Sequence, residues 1–196
     1  MARHASIELI YDLDIRLIDI EPPIWRRFTV SDQITLASLH HVLQVIMGWE
    51  HSHLHQYIVG QVHYGEPDPE FDDEIDHTKD DRRFKLRDIA HDKGDNFVYE
   101  YDFGDSWHHR VTVEKTWPRT DNSLAPRCWD GKRACPPEDC GGVSGYQNLL
   151  EALRDRHHPE HRELRLWAGP HYDPELFSVQ AVNSALAALV TLGVTE

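Results

Sequence analysis

Three stretches hold the side chains best equipped for chemistry. The first, Tyr99 to His109, reads Y-E-Y-D-F-G-D-S-W-H-H and crowds Asp102, Asp105, His108 and His109 around Gly104-Asp105-Ser106, a run with turn chemistry. The second, Trp49 to Val59, holds His51, His53 and His55. On a strand His53, His55 and Tyr57 share a face, and an H-x-H pair of this kind can grip one metal ion. The third contains all three cysteines, Cys128, Cys135 and Cys140, with six and four residues between them.

That spacing differs from the C-x-x-C knuckle of common zinc modules. Prolines and glycines nevertheless surround the cysteines, and a long loop with little core gains stability from an ion that ties it down. Three thiolates leave one ligand of tetrahedral zinc to be supplied. His109 is the first candidate, with His108 or His63 in reserve; the alternative is three buried or idle thiols. Glu138 and Asp139 could join Asp102 and Asp105 in an acidic cluster. Carboxylates so placed can hold a divalent cation or act as acid and base. They can equally satisfy backbone donors at loop and helix starts.

Asp102-Phe103-Gly104 imitates the magnesium motif of protein kinases, but no glycine-rich loop, strand lysine or H-R-D accompanies it. P-loop, G-x-G-x-x-G, G-x-S-x-G and H-E-x-x-H patterns are likewise absent from the sequence.

These residues must be positioned by strands and helices whose periodicities are plain. Phe97, Tyr99, Tyr101 and Phe103 fall at every second position, as do Trp107, His109, Val111 and Val113, which predicts a hairpin. Ile7, Leu9, Tyr11, Leu13, Ile15 and Leu17 alternate in the same way. Pro22-Pro23 ends that strand, and Ile24 to Val30 reads as its hairpin partner, with Trp25 a core or rim aromatic and Arg26 and Arg27 solvated. Thr35 caps a helix from Leu36 to about Met47, closed by Gly48. The acidic run Glu66 to Asp76 reads as a solvated loop, Leu86 to Ala90 as a short turn-like segment, and the chain after Glu114 as irregular. Ser144 opens an amphipathic helix, a second runs from Pro159 to about Trp167, Asp173-Pro174 begins another, and Ser178 caps Val179 to Val190. Strands, helix, strands and then helices define an α+β class with a mostly antiparallel sheet.

At 196 residues the chain is read as one domain, with 40% hydrophobic and 28% charged residues, as in ordinary soluble proteins. No apolar run approaches the roughly 20 residues that span a bilayer, and three cysteines fit a reducing compartment, so the expected location is cytoplasmic. The net charge of -14 opposes broad binding to phosphate backbones; Arg82, Arg83, Lys85 and Arg87 form the one dense basic patch. Of the fifteen histidines, most read as solvated surface residues.

Tyr99-x-Tyr101-Asp102-Phe103-Gly104-Asp105-x-Trp107-x-His109, Pro136-Pro137-Glu138-Asp139-Cys140-Gly141-Gly142 and Gly145-Tyr146 together resemble the family founded on the third open reading frame of an Ri-type plasmid. Some relatives are labelled as the passenger TnpR protein of an insertion element. Met47-Gly48-Trp49, His53-Leu54-His55, Pro23-x-Trp25-Arg26 and Phe177-x-x-x-x-Val182-Asn183 fit the same pattern, so the resemblance runs from about Ile7 to Leu189. It implies a single-domain α+β fold and carries no assigned reaction. No serine- or tyrosine-recombinase active-site pattern accompanies it.

Three functions follow as expectations. One is a binding or accessory module tied to plasmids or mobile elements, taking a protein partner or small ligand, with zinc on Cys128, Cys135, Cys140 and His109. The second is a metal-dependent hydrolase using His53, His55, Asp102, Asp105 and His109. The third, nucleic-acid binding, is opposed by charge.

Overall fold

Leu9 to Leu17 is β1, and its alternation buries Tyr11, Leu13, Ile15 and Leu17 against the core. β2 (Trp25–Ser31) pairs with it antiparallel, from Ile10 opposite Ser31 to Arg16 opposite Trp25. The computed structural model describes residues 7–67, 77–120 and 126–193, so most of the acidic run from Glu66 to Asp76 lies outside the described residues.

After α1 (Leu36–Met47), β3 (His55–Val59) and β4 (Val62–Gly65) form a hairpin, and β5 (Lys79–Asp80) adds a short parallel edge. α2 is one turn, Leu86–Ile89. β6 (Asn96–Tyr101) and β7 (Trp107–Pro118) make the expected hairpin, and β8 is Arg127–Lys132. Among the described residues these form one eight-stranded sheet in the order β5-β4-β3-β6-β7-β1-β2-β8, antiparallel except at the β4–β5 edge. Three helices follow: α3 (Gly142–Arg154), α4 (His161–Trp167) and α5 (Val179–Thr191). The architecture is α+β, with one hydrophobic core running between the sheet and the helices. Among the described residues no helix is long and apolar enough to cross a membrane.

Helix α1 fits the core because Leu36, Leu39, Val42, Leu43 and Ile46 form one buried stripe. Thr35 accepts the Ser38 N–H, and Gly48 closes the helix at φ 98°, a left-handed conformation that glycine adopts without a Cβ penalty. The hydroxyl of Tyr57 on β3 donates to the Leu36 carbonyl (2.8 Å), fixing the helix over the strand that begins at His55.

Five local expectations are corrected. The chain after Glu114 contains β8, an edge strand that shows little alternation because Cys128 is its one buried residue. Phe103 does not share the core face with Phe97, Tyr99 and Tyr101: β6 stops at Tyr101, and Phe103 is exposed in the turn. No helix starts at Asp173-Pro174; Asp173 takes the Glu175 N–H in a local turn, and the Pro174 carbonyl is recruited by the Ala134 N–H. Helix α3 starts at Gly142, before Ser144, with Gly141 as its cap. Arg26 is buried, whereas Arg27 is the exposed partner of Asp12 that a solvated arginine should be.

Candidate functional site

The polar residues of interest meet at one end of the sheet. There the segment leaving α1 (48–54), the β6–β7 turn and the loop before α3 come together. The β6–β7 turn forms because Asp102 adopts φ 58° and its Oδ1 accepts the N–H groups of Gly104 (2.9 Å) and Asp105 (3.3 Å). Its other oxygen, Oδ2, lies 3.7 Å from His53 Nε2. Asp105 turns the other way, and its Oδ2 accepts the Gly141 N–H (3.1 Å), joining the hairpin to the loop that carries Glu138 and Asp139.

His53 Nε2 is also 3.7 Å from Glu138 Oε2 and 3.3 Å from Asp139 Oδ1. Glu138 is held through its first oxygen, which accepts the Glu50 N–H (2.7 Å) and the Tyr101 hydroxyl (3.0 Å). Tyr101 in turn accepts the Ser52 N–H (3.0 Å). Glu138 Oε2 and His53 Nε2 are both buried atoms without a hydrogen bond, as are the indole nitrogens of Trp49 and Trp107 and Nε2 of His109. Asp139, by contrast, exposes 74% of its side chain. His53, Asp102 and Asp139 offer ligand atoms within 4.8 Å of one another. Asp102 and Asp139 both hold positive φ without being glycine, a conformation that persists where surrounding structure enforces it.

The H-x-H pair is divided. β3 begins only at His55, so His53 belongs to the preceding turn and faces the carboxylates. His55 bonds Asp81 Oδ2 (2.9 Å) and stacks flat on His40, ring centroids 3.6 Å apart. Around His40 lies a second group, which joins His51 to two histidines that the sequence did not single out: His40, His41 and His51 have ligand atoms within 4.8 Å. His40 and His41 read as ordinary positions of an amphipathic helix, and their meeting with His51 depends on the packing of α1 on the sheet. Burial, then the neighbouring imidazoles of His55 and His51, push the His40 pKa down and favour its neutral form.

The cysteines do not converge with His109. Among the described residues, no three of Cys128, Cys135, Cys140 and His109 bring ligand atoms within 4.8 Å. Cys128 Sγ sits on β8 against the Asp130 carbonyl, and Cys135 Sγ lies 4.0 Å from the Arg26 guanidinium. Burial raises all three thiol pKa values, those of Cys135 and Cys140 to about 12, which keeps these thiols protonated at neutral pH. The alternative ligands are engaged elsewhere: His108 with the Ser106 carbonyl and Glu100, His63 with Gln56.

His109 is fully enclosed by the hairpin, its Nδ1 3.1 Å from the Tyr99 carbonyl. Burial lowers its pKa from 6.5 to about 4. The unfolded chain therefore holds more protons than the fold between those two values. The stability this supplies is complete above the unfolded pKa and is lost as pH falls towards the folded one, by about 3 kcal/mol at pH 4. Urea unfolding from pH 7 to 4 should show this loss, and His109→Gln should flatten the slope by close to one proton. An unchanged slope in that variant would contradict the assignment.

One end of the sheet of this α+β protein gathers one histidine with three carboxylates beside a second set of three histidines, side chains of the types that can ligate metals. The chain belongs to the plasmid pRiA4b ORF-3-like protein family, whose profile matches residues 9–181. It is 39% identical over 176 residues to the uncharacterized protein y4hQ of Sinorhizobium fredii, covering 89% of each chain. It is also similar to the crystal structure of the protein of unknown function MM3350 from Methanosarcina mazei Go1. That match has a TM-score of 0.79 and 36% identity, over 89% of this chain and 98% of the other.

Proposed function

We propose that this protein is a binding module built around a divalent cation held by His53, Asp102 and Asp139, with Glu138 at its side. The observation that carries the reading is the buried His53 Nε2, which has no hydrogen bond and faces three carboxylates at 3.3–3.7 Å. Three carboxylates around one imidazole concentrate negative charge in a partly buried place, and a divalent cation neutralises it. Mixed imidazole and carboxylate donors suit Zn²⁺ or Mn²⁺ better than the softer thiolate-preferring ions. Zinc on Cys128, Cys135, Cys140 and His109 would require those side chains to converge, so the geometry supports the carboxylate–imidazole centre instead.

The plasmid association of the family supports an accessory role in such elements. Three unpaired thiols support a reducing, cytoplasmic setting, and the net charge favours a small polar ligand over nucleic acid. A cleft of about 470 Å³ that includes Glu50, Cys135, Glu138 and Phe177 in its walls offers such a ligand room beside the cation.

Calorimetric titration with Zn²⁺ and Mn²⁺ tests the site. His53→Ala should weaken binding more than about 100-fold with the circular dichroism spectrum unchanged. Undiminished binding in both His53→Ala and Asp102→Asn would sink the proposal.

A hydrolytic reading is favoured by one further feature. Glu138 Oε2 is unbonded and lies beside both the cation ligands and the cleft, as a carboxylate that takes a proton from water would. With Mn²⁺ or Zn²⁺ added, aryl phosphates and carboxylic esters are the substrates to try. Glu138→Gln should lower turnover about 10²–10⁴-fold while metal stays bound. Absence of turnover in the wild-type protein leaves the binding module as the function.

A further inference from the structure

We propose that His40, His41 and His51 form a second, separate transition-metal site that takes Zn²⁺ through three imidazole nitrogens. The site is distinct in chemistry from the carboxylate-rich centre at His53, because its three donors are all imidazole nitrogens. It stands whether or not that centre binds a cation.

Each ligand is fixed by a partner of its own. His40 lies on the buried side of α1, and its Nε2 faces Nδ1 of His51 at hydrogen-bonding distance or closer. Its other nitrogen, Nδ1, is 2.7 Å from the Tyr99 hydroxyl, which also accepts the Gln44 side-chain N–H (2.9 Å). A metal-ligating histidine characteristically donates its second ring N–H to a fixed acceptor, and the Tyr99 oxygen is placed to be that acceptor. With the proton on Nδ1, the lone pair of Nε2 points at His51 and can be shared with an ion.

His51 is brought in by the backbone. It follows the helix cap, adopts φ 57°, and its N–H donates to Gln44 Oε1 (2.8 Å). Gln44 thus holds both His51 and, through Tyr99, His40. A β-region backbone at residue 51 would aim the ring elsewhere, so this left-handed conformation serves the convergence. His41, one residue on from His40, completes the set from the outer side of the helix, with ring centroids 5.3 Å from His40 and 4.7 Å from His51. His41 is half-buried and His51 exposed, so an ion can reach the site from solvent while its inner ligand stays dry.

His55 supports the inner wall. Its ring lies within 10° of parallel to that of His40, and its Nε2 is anchored on the buried Asp81 carboxylate. The carboxylate adds negative charge behind the imidazoles, which favours a cation in front of them. Three protein nitrogens leave one position of a tetrahedral ion open, the ligand count of catalytic zinc sites.

The test counts metals and identifies their donors. Zn²⁺ titration of the wild-type protein, followed by elemental analysis, should give two ions per chain. His41→Ala and His51→Asn lie on the solvent side and keep the helix and the left-handed backbone available, and each should remove one ion. His53→Ala should remove the other and leave the three-histidine site filled. Tyr99→Phe should weaken the three-histidine site by about 10–100-fold through loss of its supporting acceptor. Cu²⁺ bound to His53→Ala should show electron-paramagnetic-resonance splitting from several nitrogens, lost in His53→Ala/His51→Asn. Stoichiometry unchanged by His41→Ala and His51→Asn, or a copper spectrum without multiple nitrogen donors, overturns the proposal. Failure of the carboxylate centre alone would leave wild-type stoichiometry at one, still abolished by His51→Asn.

Discussion

Gly145→Ala should destabilise the folded protein by at least about 3 kcal/mol, the upper range of overpacking penalties. A Cβ on residue 145 would stand 1.9 Å from the Cys140 carbonyl oxygen and 2.8 Å from its carbon. Both are backbone atoms, so no side-chain rotation relieves the overlap. The first turn of α3 would have to move off the loop. That loop is constrained in turn, because Gly142, at φ 66°, sits where a Cβ would meet the Asp105 carbonyl oxygen at 2.7 Å. Gly142 thus lets the helix start pack directly on the β6–β7 turn, and Gly145 lets its first turn pack on the loop backbone at Cys140. Gly169 supplies the contrast: its φ is 88°, but an added Cβ would meet nothing within 4 Å. Gly169→Ala should therefore cost only about 1–2 kcal/mol, the left-handed penalty of an L-residue. Denaturant unfolding of the two variants separates close approach from conformational strain, and equal losses would refute the steric account. Because Glu138 and Asp139 directly precede Cys140, Gly145→Ala should also weaken cation binding at His53.

This arrangement shows why the frame of the protein is legible in its sequence and the site only partly so. β1, α1 and the β6–β7 hairpin as far as Val113 each follow one period, and each buries the face that the period selects. β8 escapes because an edge strand over a register shift buries one side chain, so Arg127 to Lys132 shows no alternation, and its Asp130-Gly131 imitates a turn. The site's components are visible as residue types: His53, Asp102, Glu138 and Asp139 are each chemically conspicuous. Their grouping is not visible, because His53 and His55 part company where β3 begins, and Asp102 turns to His53 while Asp105 anchors the loop. Spacing along a chain locates ligands only when one element carries them. Here three separate segments do, and the backbone conformations at residues 51, 102 and 139 aim them.

Arg26→Met should cost about 3 kcal/mol, the upper end of the penalty for leaving buried hydrogen-bonding groups without partners. Arg26 is 1% exposed, and among the described residues it has no carboxylate partner. Its charge is held by carbonyl dipoles: Nε donates to Ile46 (3.0 Å), one terminal nitrogen to Trp25 and Lys132 (2.8 Å each), and the other to Arg133 (2.7 Å). The Phe177 ring covers the guanidinium at 4.0 Å. Gly131 makes room for this stack, since a Cβ there would lie 2.6 Å from the Phe177 ring and 2.8 Å from Arg26 Cδ. One side chain thus joins the end of α1, the end of β8 and the segment entering α5. Methionine would remove the desolvation cost of the charge, which itself lowers the guanidinium pKa, but would strand four carbonyls. Arg26→Lys should recover less than half of the loss, because an ammonium offers three donors and no planar fork for the ring. Urea unfolding of both variants, with a double-mutant cycle to Phe177→Leu, measures the network; a loss below about 1 kcal/mol for Arg26→Met would show that the carbonyls find other partners. The same arginine lies in the wall of the cleft beside Glu138 and bonds the carbonyls that lead into the loop carrying Glu138 and Asp139. Weaker cation binding at His53 should therefore accompany the loss of stability, coupling the packing of β8 and α5 to the chemistry at the end of the sheet.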